Sequence, residues 1–286
     1  MRGWNMLKSL TENEPTVDVL EKELLQVVPK GDVKRVRELV ELIDNLNIHS
    51  IYSSNCPADI DVCTPLSLAI EYGHFEIVKI LVEAGLDINF YIGWDDSVGD
   101  EDYGLHTPLF DAVNMRKQGL EIVKYLIGEG ANFEYLPWYA VRMGDLEVLE
   151  YWFEIKAEYL KYLIWLKKSY DETIKNHTWV DDEKNDDEDT LLMLAAVCGN
   201  VETIKYLISK GADPQLRNKG GRTAYIIAKQ TLNDEMFNRL KMNTKDVTEE
   251  IIEEHLKDYP NARSYIADRF EVAAYLEDVT TDDGKI

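Results

Sequence analysis

The chain has 286 residues, with 31 basic against 54 acidic side chains and a formal net charge of −23. That balance leaves no basic stripe for nucleic-acid phosphates. No run approaches the roughly 18 apolar residues of a membrane span, Met1 to Leu10 is too short and polar for a signal peptide, and Cys56, Cys63 and Cys198 lack paired spacing; together these predict a reduced, cytoplasmic protein.

In chain order, the first periodic segment is Leu24-Leu25-Gln26-Val27-Val28, then Gly31-Asp32, then Val36-Arg37-Glu38-Leu39-Val40. It is a weak copy of the segment that starts at Thr64. There Thr64-Pro65-Leu66-Ser67-Leu68-Ala69 leads to Gly73-His74, the run Glu76-Ile77-Val78-Lys79, Leu81-Val82 and Gly85. The pattern returns at Thr107-Pro108-Leu109-Phe110-Asp111-Ala112 and again at Thr190-Leu191-Leu192-Met193-Leu194-Ala195-Ala196. A degenerate copy, Pro137-Trp138-Tyr139-Ala140-Val141 followed by Gly144-Asp145, stands between them, and Gly221-Arg222-Thr223-Ala224-Tyr225 begins another.

The pattern has physical reasons. A Thr hydroxyl caps free amides at a helix start, and Pro fixes φ in the first turn. Gly73, Gly144 and Gly199 are placed to end the first helix in a left-handed conformation. Ile77, Val78, Ile80, Leu81 and Val82 form the apolar stripe of a second helix. Ala69, Ala112, Ala140 and Ala195 are small where helices approach closely. Such a unit cannot bury its apolar face alone and must stack on its copies. The motif residues are core.

From Thr190 to Thr223 the spacing is 33 residues. This period and the Thr-Pro-Leu and Gly-His motifs resemble the ankyrin repeat family over roughly Leu24 to Gln230. The fold expected is an all-α solenoid of about five to six helix-turn-helix repeats with capping helices. Residues 1–60 are read as an N-terminal cap and degenerate repeat, 61–230 as repeats with insertions at 90–105 and 154–188, and 231–286 as a C-terminal helical cap. Around the start of that cap Thr223 to Gln230 reads as a first helix, Met236 to Asp246 as polar and irregular, Val247 to Lys257 as an acidic helix and Ala262 to Leu276 as an amphipathic helix. Three departures from the family pattern stand out. Ser67, Phe110 and Met193 replace the histidine of the Thr-Pro-Leu-His turn, which removes its hydrogen bonds. The degenerate repeat has Leu136-Pro137 for Thr-Pro, and the insertions have no counterpart in a regular array.

The resemblance implies protein recognition rather than chemistry, and the residues agree. Asp100, Asp102 and Gly104 share the start of a calcium loop but lack its order and its closing Glu, so no metal is expected. His49, His74, His106, His177 and His255 are scattered and pair with no nucleophile. Lys219-Gly220-Gly221-Arg222 reads as a repeat turn, not a phosphate loop. No catalytic constellation and no cofactor is expected, and the chain reads as a non-enzyme.

Charge clusters in two places. Tyr91, Trp94, Asp95, Asp96, Asp100, Glu101, Asp102 and Tyr103 fall in the first insertion, and Trp179, Asp181, Asp182, Glu183, Asp186, Asp187, Glu188 and Asp189 in the second. Two acidic fingers with aromatics beside charge have the composition of interface anchors; the alternative is solvated loops whose Trp residues pack back on the stack. The run from Ala157 to Lys168 reads as an aromatic helix extending or following the second helix of the degenerate repeat, a structural brace or a partner-binding helix. The partner-binding set expected is Tyr91, Trp94, Asp95, Asp96, Asp100, Glu101, Asp102 and Tyr103 of the first finger with Trp179, Asp181, Asp182, Glu183, Asp186 and Asp187 of the second. The function expected is a stoichiometric inhibitor or immunity-type protein whose acidic face captures a basic partner such as a toxin or nuclease. Compact acidic ankyrin proteins of this kind resemble those paired with toxins in microbes or made by viruses. The alternative is an adaptor or host-directed effector that binds a protein through its concave groove.

Overall fold

A computed structural model describes residues 17–43, 64–90, 107–115, 119–167, 179–240 and 260–281. Their regular elements are helical, and the one strand-like pairing among them is an antiparallel bridge between Lys184 and Thr190. The all-α reading therefore holds. Two units divide between Glu134 and Tyr135.

In the first unit, α1 (Val17–Val27) runs into a 3-10 turn at Val28–Lys30 and is followed by α2 (Val33–Leu42). The next pairs are α3 (Pro65–Glu71) with α4 (Phe75–Glu83) and α5 (Pro108–Asn114) with α6 (Gly119–Gly128). Each pair packs on itself, first helix packs on first helix from α1 through α3 to α5, and α2 packs on α4. The edge of Phe75 meets Tyr125 at 5.7 Å between ring centroids, joining α4 to α6.

The second unit repeats the scheme. Its pairs are α7 (Leu136–Met143) with α8 (Leu146–Lys167) and α9 (Leu191–Cys198) with α10 (Val201–Ser209). After α11 (Ala224–Leu240), the closing α12 (Pro260–Thr281) packs on α11, α10 and α9. It thereby occupies the place of a second helix for α11. Its buried stripe of Ile266, Val272, Ala273 and Leu276 includes Arg269, only 6% exposed, which donates to the Val197 carbonyl at 3.0 Å. A cation at the end of α9 also suits the negative end of that helix dipole.

Local chemistry explains the repetition. Thr64, Thr107, Thr190 and Thr223 each accept the amide three residues on, at 3.0, 3.2, 3.4 and 3.3 Å. Asp32, Asp145 and Asn200 do the same for second helices. Between the helices Gly73, Gly144 and Gly199 adopt φ of 70°, 66° and 77°, where a Cβ would be strained. The stripe Ile77, Val78, Ile80 and Leu81 is buried, each side chain worth about 1.5–3 kcal/mol over exposure.

Some expectations change. The histidine missing from the first repeat costs less than its absence suggests, because Ser67 Oγ accepts from Thr64 N at 2.8 Å and donates to Thr64 O at 3.0 Å. A serine hydroxyl thus restores a reciprocal cap. The polar stretch expected from Met236 begins inside a helix, since α11 continues to Leu240. Of the two placements open to the aromatic run from Ala157, the structure takes the extension, since α8 continues without a break to Lys167. Cys198 is a half-buried free thiol at the end of α9, and burial pushes its pKa up. The expected acidic helix at 247–257 lies outside the described residues, as do Cys56 and Cys63.

Candidate protein-binding site

Of the residues proposed for recognition, Tyr91, Trp94, Asp95, Asp96, Asp100, Glu101, Asp102 and Tyr103 lie outside the described residues, and so does the side chain of Trp179. The second acidic cluster is described, and its backbone is not irregular. Asn185 Oδ1 accepts the amides of Asp187 and Asp189 at 3.0 and 2.8 Å, and Glu188 N donates to Asn185 O at 2.9 Å. Thirty-three residues later Asn218 Oδ1 accepts Arg222 N at 2.9 Å, and Gly221 N donates to Asn218 O at 2.9 Å. Asn185–Thr190 and Asn218–Thr223 are therefore the same turn in consecutive repeats, and the excess length of this region lies ahead of Asn185.

The two turns are tied together. Asn218 Nδ2 donates to Asp189 Oδ1 at 2.6 Å, and Lys219 N donates to Asp187 O at 2.9 Å. Lys219 Nζ donates to Asp186 O. Asn218 is only 5% exposed, so its bond to Asp189 is sheltered from competing water.

The carboxylates divide by role. Asp182, Asp186, Asp187 and Glu188 are exposed. Asp189 is half-buried and holds Asn218. Glu183 pairs with Lys156 of α8 at 2.6 Å, with both side chains more than two-thirds buried. Asp181 Oδ2 accepts the Asp213 amide at 3.0 Å, while its Oδ1 is buried without a hydrogen-bond partner. Burial accordingly pushes the Asp181 pKa up, and the nearby Asp213 carboxylate adds to this against the amide bond. Asp181, Glu183 and Asp189 are thus braces, and the outward charge comes from the other four.

The neighbouring turn presents the opposite sign. Arg217, Lys219 and Arg222 are exposed on it, with Arg217 donating to Gly221 O at 2.6 Å. Sequence reading passed over this basic turn because its Gly-Gly-Arg looked like a repeat signature. The 33-residue register between Asn185 and Asn218 was the signal that joined the two. Among the described residues no group of three or more His, Cys, Asp or Glu side chains could hold a metal, and no helix is long and apolar enough to cross a membrane.

The family profile for ankyrin repeats (three copies) matches residues 24–137 and again 138–251. BRCA1-associated RING domain protein 1 of Caenorhabditis elegans is 42% identical over 71 residues, 25% of this chain and 8% of that protein. An ankyrin repeat protein of Rickettsia felis is 28% identical over 173 residues, 60% of this chain and 36% of the relative. The chain thus spans well under half the length of either curated relative. A solved structure of a predatory endopeptidase from Bdellovibrio bacteriovorus in complex with an immunity protein contains a similar chain, with a TM-score of 0.48 and 24% identity over 74% of this chain and 92% of that one. A likeness of that degree carries no weight for function.

Proposed function

Because the chain belongs to the ankyrin repeat family, we propose that its role as a protein-interaction module is that of a stoichiometric inhibitor or immunity-type protein for a basic partner. The observation behind this reading is the turn Asn185–Thr190: a backbone fixed by hydrogen bonds that carries Asp186, Asp187 and Glu188 outward, with Asp182 exposed ahead of it. Fixed, exposed carboxylates suit a phosphate-binding cleft of a nuclease or toxin, because they attract it over distance and need no ordering on contact. Tyr91, Trp94, Asp95, Asp96, Asp100, Glu101, Asp102 and Tyr103 in the first unit, and Trp179 in the second, are proposed as further partner-binding residues, each unit taken by itself. Asp181 and Glu183 support it from behind. The role requires no catalytic group of its own and operates in the cytoplasm.

The exposed Arg217, Lys219 and Arg222 beside the acidic turn favour a second reading. A surface of adjacent opposite charges suits an adaptor that docks a protein of mixed charge in the groove of the first helices.

Pull-down followed by surface-plasmon kinetics at two salt concentrations separates the two. Asp182, Asp186 and Asp187 changed together to Asn should slow association several-fold at low salt and less at high salt, since steering is screened beyond about 8–10 Å at physiological ionic strength. Trp94→Ala and Trp179→Ala should instead speed dissociation, by roughly 2 kcal/mol or more where the ring is an anchor. Unchanged rates in both sets would move the binding site to the first-helix groove.

A further inference from the structure

The second helices of the unit 135–286 carry a cluster that the acidic turn does not use. Phe153 of α8 and Tyr206 of α10 meet edge to face, with ring centroids 5.6 Å apart and planes at 77°. Lys210, which caps the end of α10, sets its Nζ 5.4 Å from the Phe153 centroid and 5.1 Å from that of Tyr206. One ammonium thus lies over two rings. Lys156 makes a related contact over Trp152 at 5.6 Å, but Glu183 already holds its charge. Lys210 itself is exposed.

The surroundings favour a cation. Glu150 and Glu154 lie one turn apart on α8, and both are exposed. Burial, and after it the charges of these two carboxylates, push the Tyr206 phenol up to about 12. The ring therefore remains a neutral donor of π density in a negative field at any physiological pH.

We propose that the part-exposed ring of Tyr206, backed by the buried ring of Phe153 and bordered by Glu150 and Glu154, forms a seat for an arginine side chain of a protein partner, with Lys210 as its displaceable resident. A guanidinium suits the seat better than an ammonium does. It is planar, weakly hydrated and able to stack on a ring while its N–H groups reach the two carboxylates. The exposed Lys210 leaves by rotating its flexible stem into solvent, with no change in the helices. The seat shares no residue with the acidic turn, so either can fail alone.

The test uses the full chain and two blocked amino acids, acetyl-arginine amide and its neutral isostere acetyl-citrulline amide, titrated by NMR. Arginine should bind and move upfield over the rings, and citrulline should not. Lys210→Ala should tighten arginine binding about fivefold, the equivalent of ~1 kcal/mol of competing cation–π contact. In that background Tyr206→Phe should keep the affinity and Tyr206→Leu should lose it. Asp186→Asn with Asp187→Asn should leave it within about twofold, the change that screening of distant charge allows. Equal binding of the two amides, a Lys210→Ala variant no tighter than the native chain, or a loss that follows the turn variants would each overturn the proposal.

Discussion

The turns at Asn185–Thr190 and Asn218–Thr223 share a backbone and oppose each other in charge. Both close on an Asn side chain, both precede a Thr that caps a first helix, and both place a residue at positive φ two positions before that Thr. One then displays Asp186, Asp187 and Glu188, the other Lys219 and Arg222. The difference teaches that the groups needed for folding and the groups free to vary sit at different positions of one short loop. The displayed charge can therefore change from one repeat to the next while the turn that carries it stays the same.

The widest test of that shared frame is a core deletion in each unit. Leu81 and Leu207 are fully buried at equivalent places on second helices, in α4 and α10. Leu81→Ala and Leu207→Ala should each cost about 2–5 kcal/mol in urea unfolding, because neighbouring helices cannot collapse into the cavity. A loss far below that range at either site would show that its unit is loosely packed and that the repeat frame is not common to both.

Exchanging the residues at the positive-φ position sharpens the comparison of the turns themselves. Glu188 has φ of 61° where Gly221 has 70°. A side chain there is strained by about 1–2 kcal/mol, against which glycine loses about 0.4–1 kcal/mol through the freedom of the unfolded chain. Glu188→Gly should therefore stabilise the protein by about 0.5–1 kcal/mol, and Gly221→Ala should destabilise it by a similar amount. Thermal melts of both variants check the pair. A destabilised Glu188→Gly would mean that the carboxylate makes a contact outweighing its backbone strain.

Much of the frame was legible because its causes are local. Thr caps, the glycines between helices and the apolar stripes act within a few residues, and each has a sequence spacing. The acidic turn was harder to read. Glu188 at the glycine position hid a regular turn inside what looked like an insertion, and only the register with Asn218 exposes it. The roles of Asp181 and Asp189 depend on Asp213 and Asn218 in the next repeat, which no local pattern reports. α12 was legible as an amphipathic helix, but its packing on α11 was not, since residues 241–259 separate the two. The Phe153–Tyr206 seat joins two helices far apart in sequence.

The smallest expected effect concerns Asp181 and its counterpart in the first unit. Asn89 Oδ1 accepts the Asn132 amide at 2.7 Å, as Asp181 Oδ2 accepts that of Asp213 at 3.0 Å. The bond is the same, yet one acceptor is neutral and the other charged, with an oxygen buried and unpartnered. Asp181→Asn should keep the bond and remove the cost of burying charge. Because burial holds the folded pKa above the ordinary carboxylate value of 3.8, the native state favours the protonated acid. The stability that protonation lends is fully present below pH 3.8 and is lost as pH rises through the folded pKa. Measured by urea unfolding between about pH 3.5 and 7, the Asn variant should therefore gain on the native chain as pH increases, then level off. With Asp181 only half-buried, solvent screening should keep the gain under about 1 kcal/mol at neutral pH. A variant that instead falls behind as pH rises would mean that the carboxylate is held by a favourable interaction in the folded state, and that the charge at this position is a structural asset the first unit lacks.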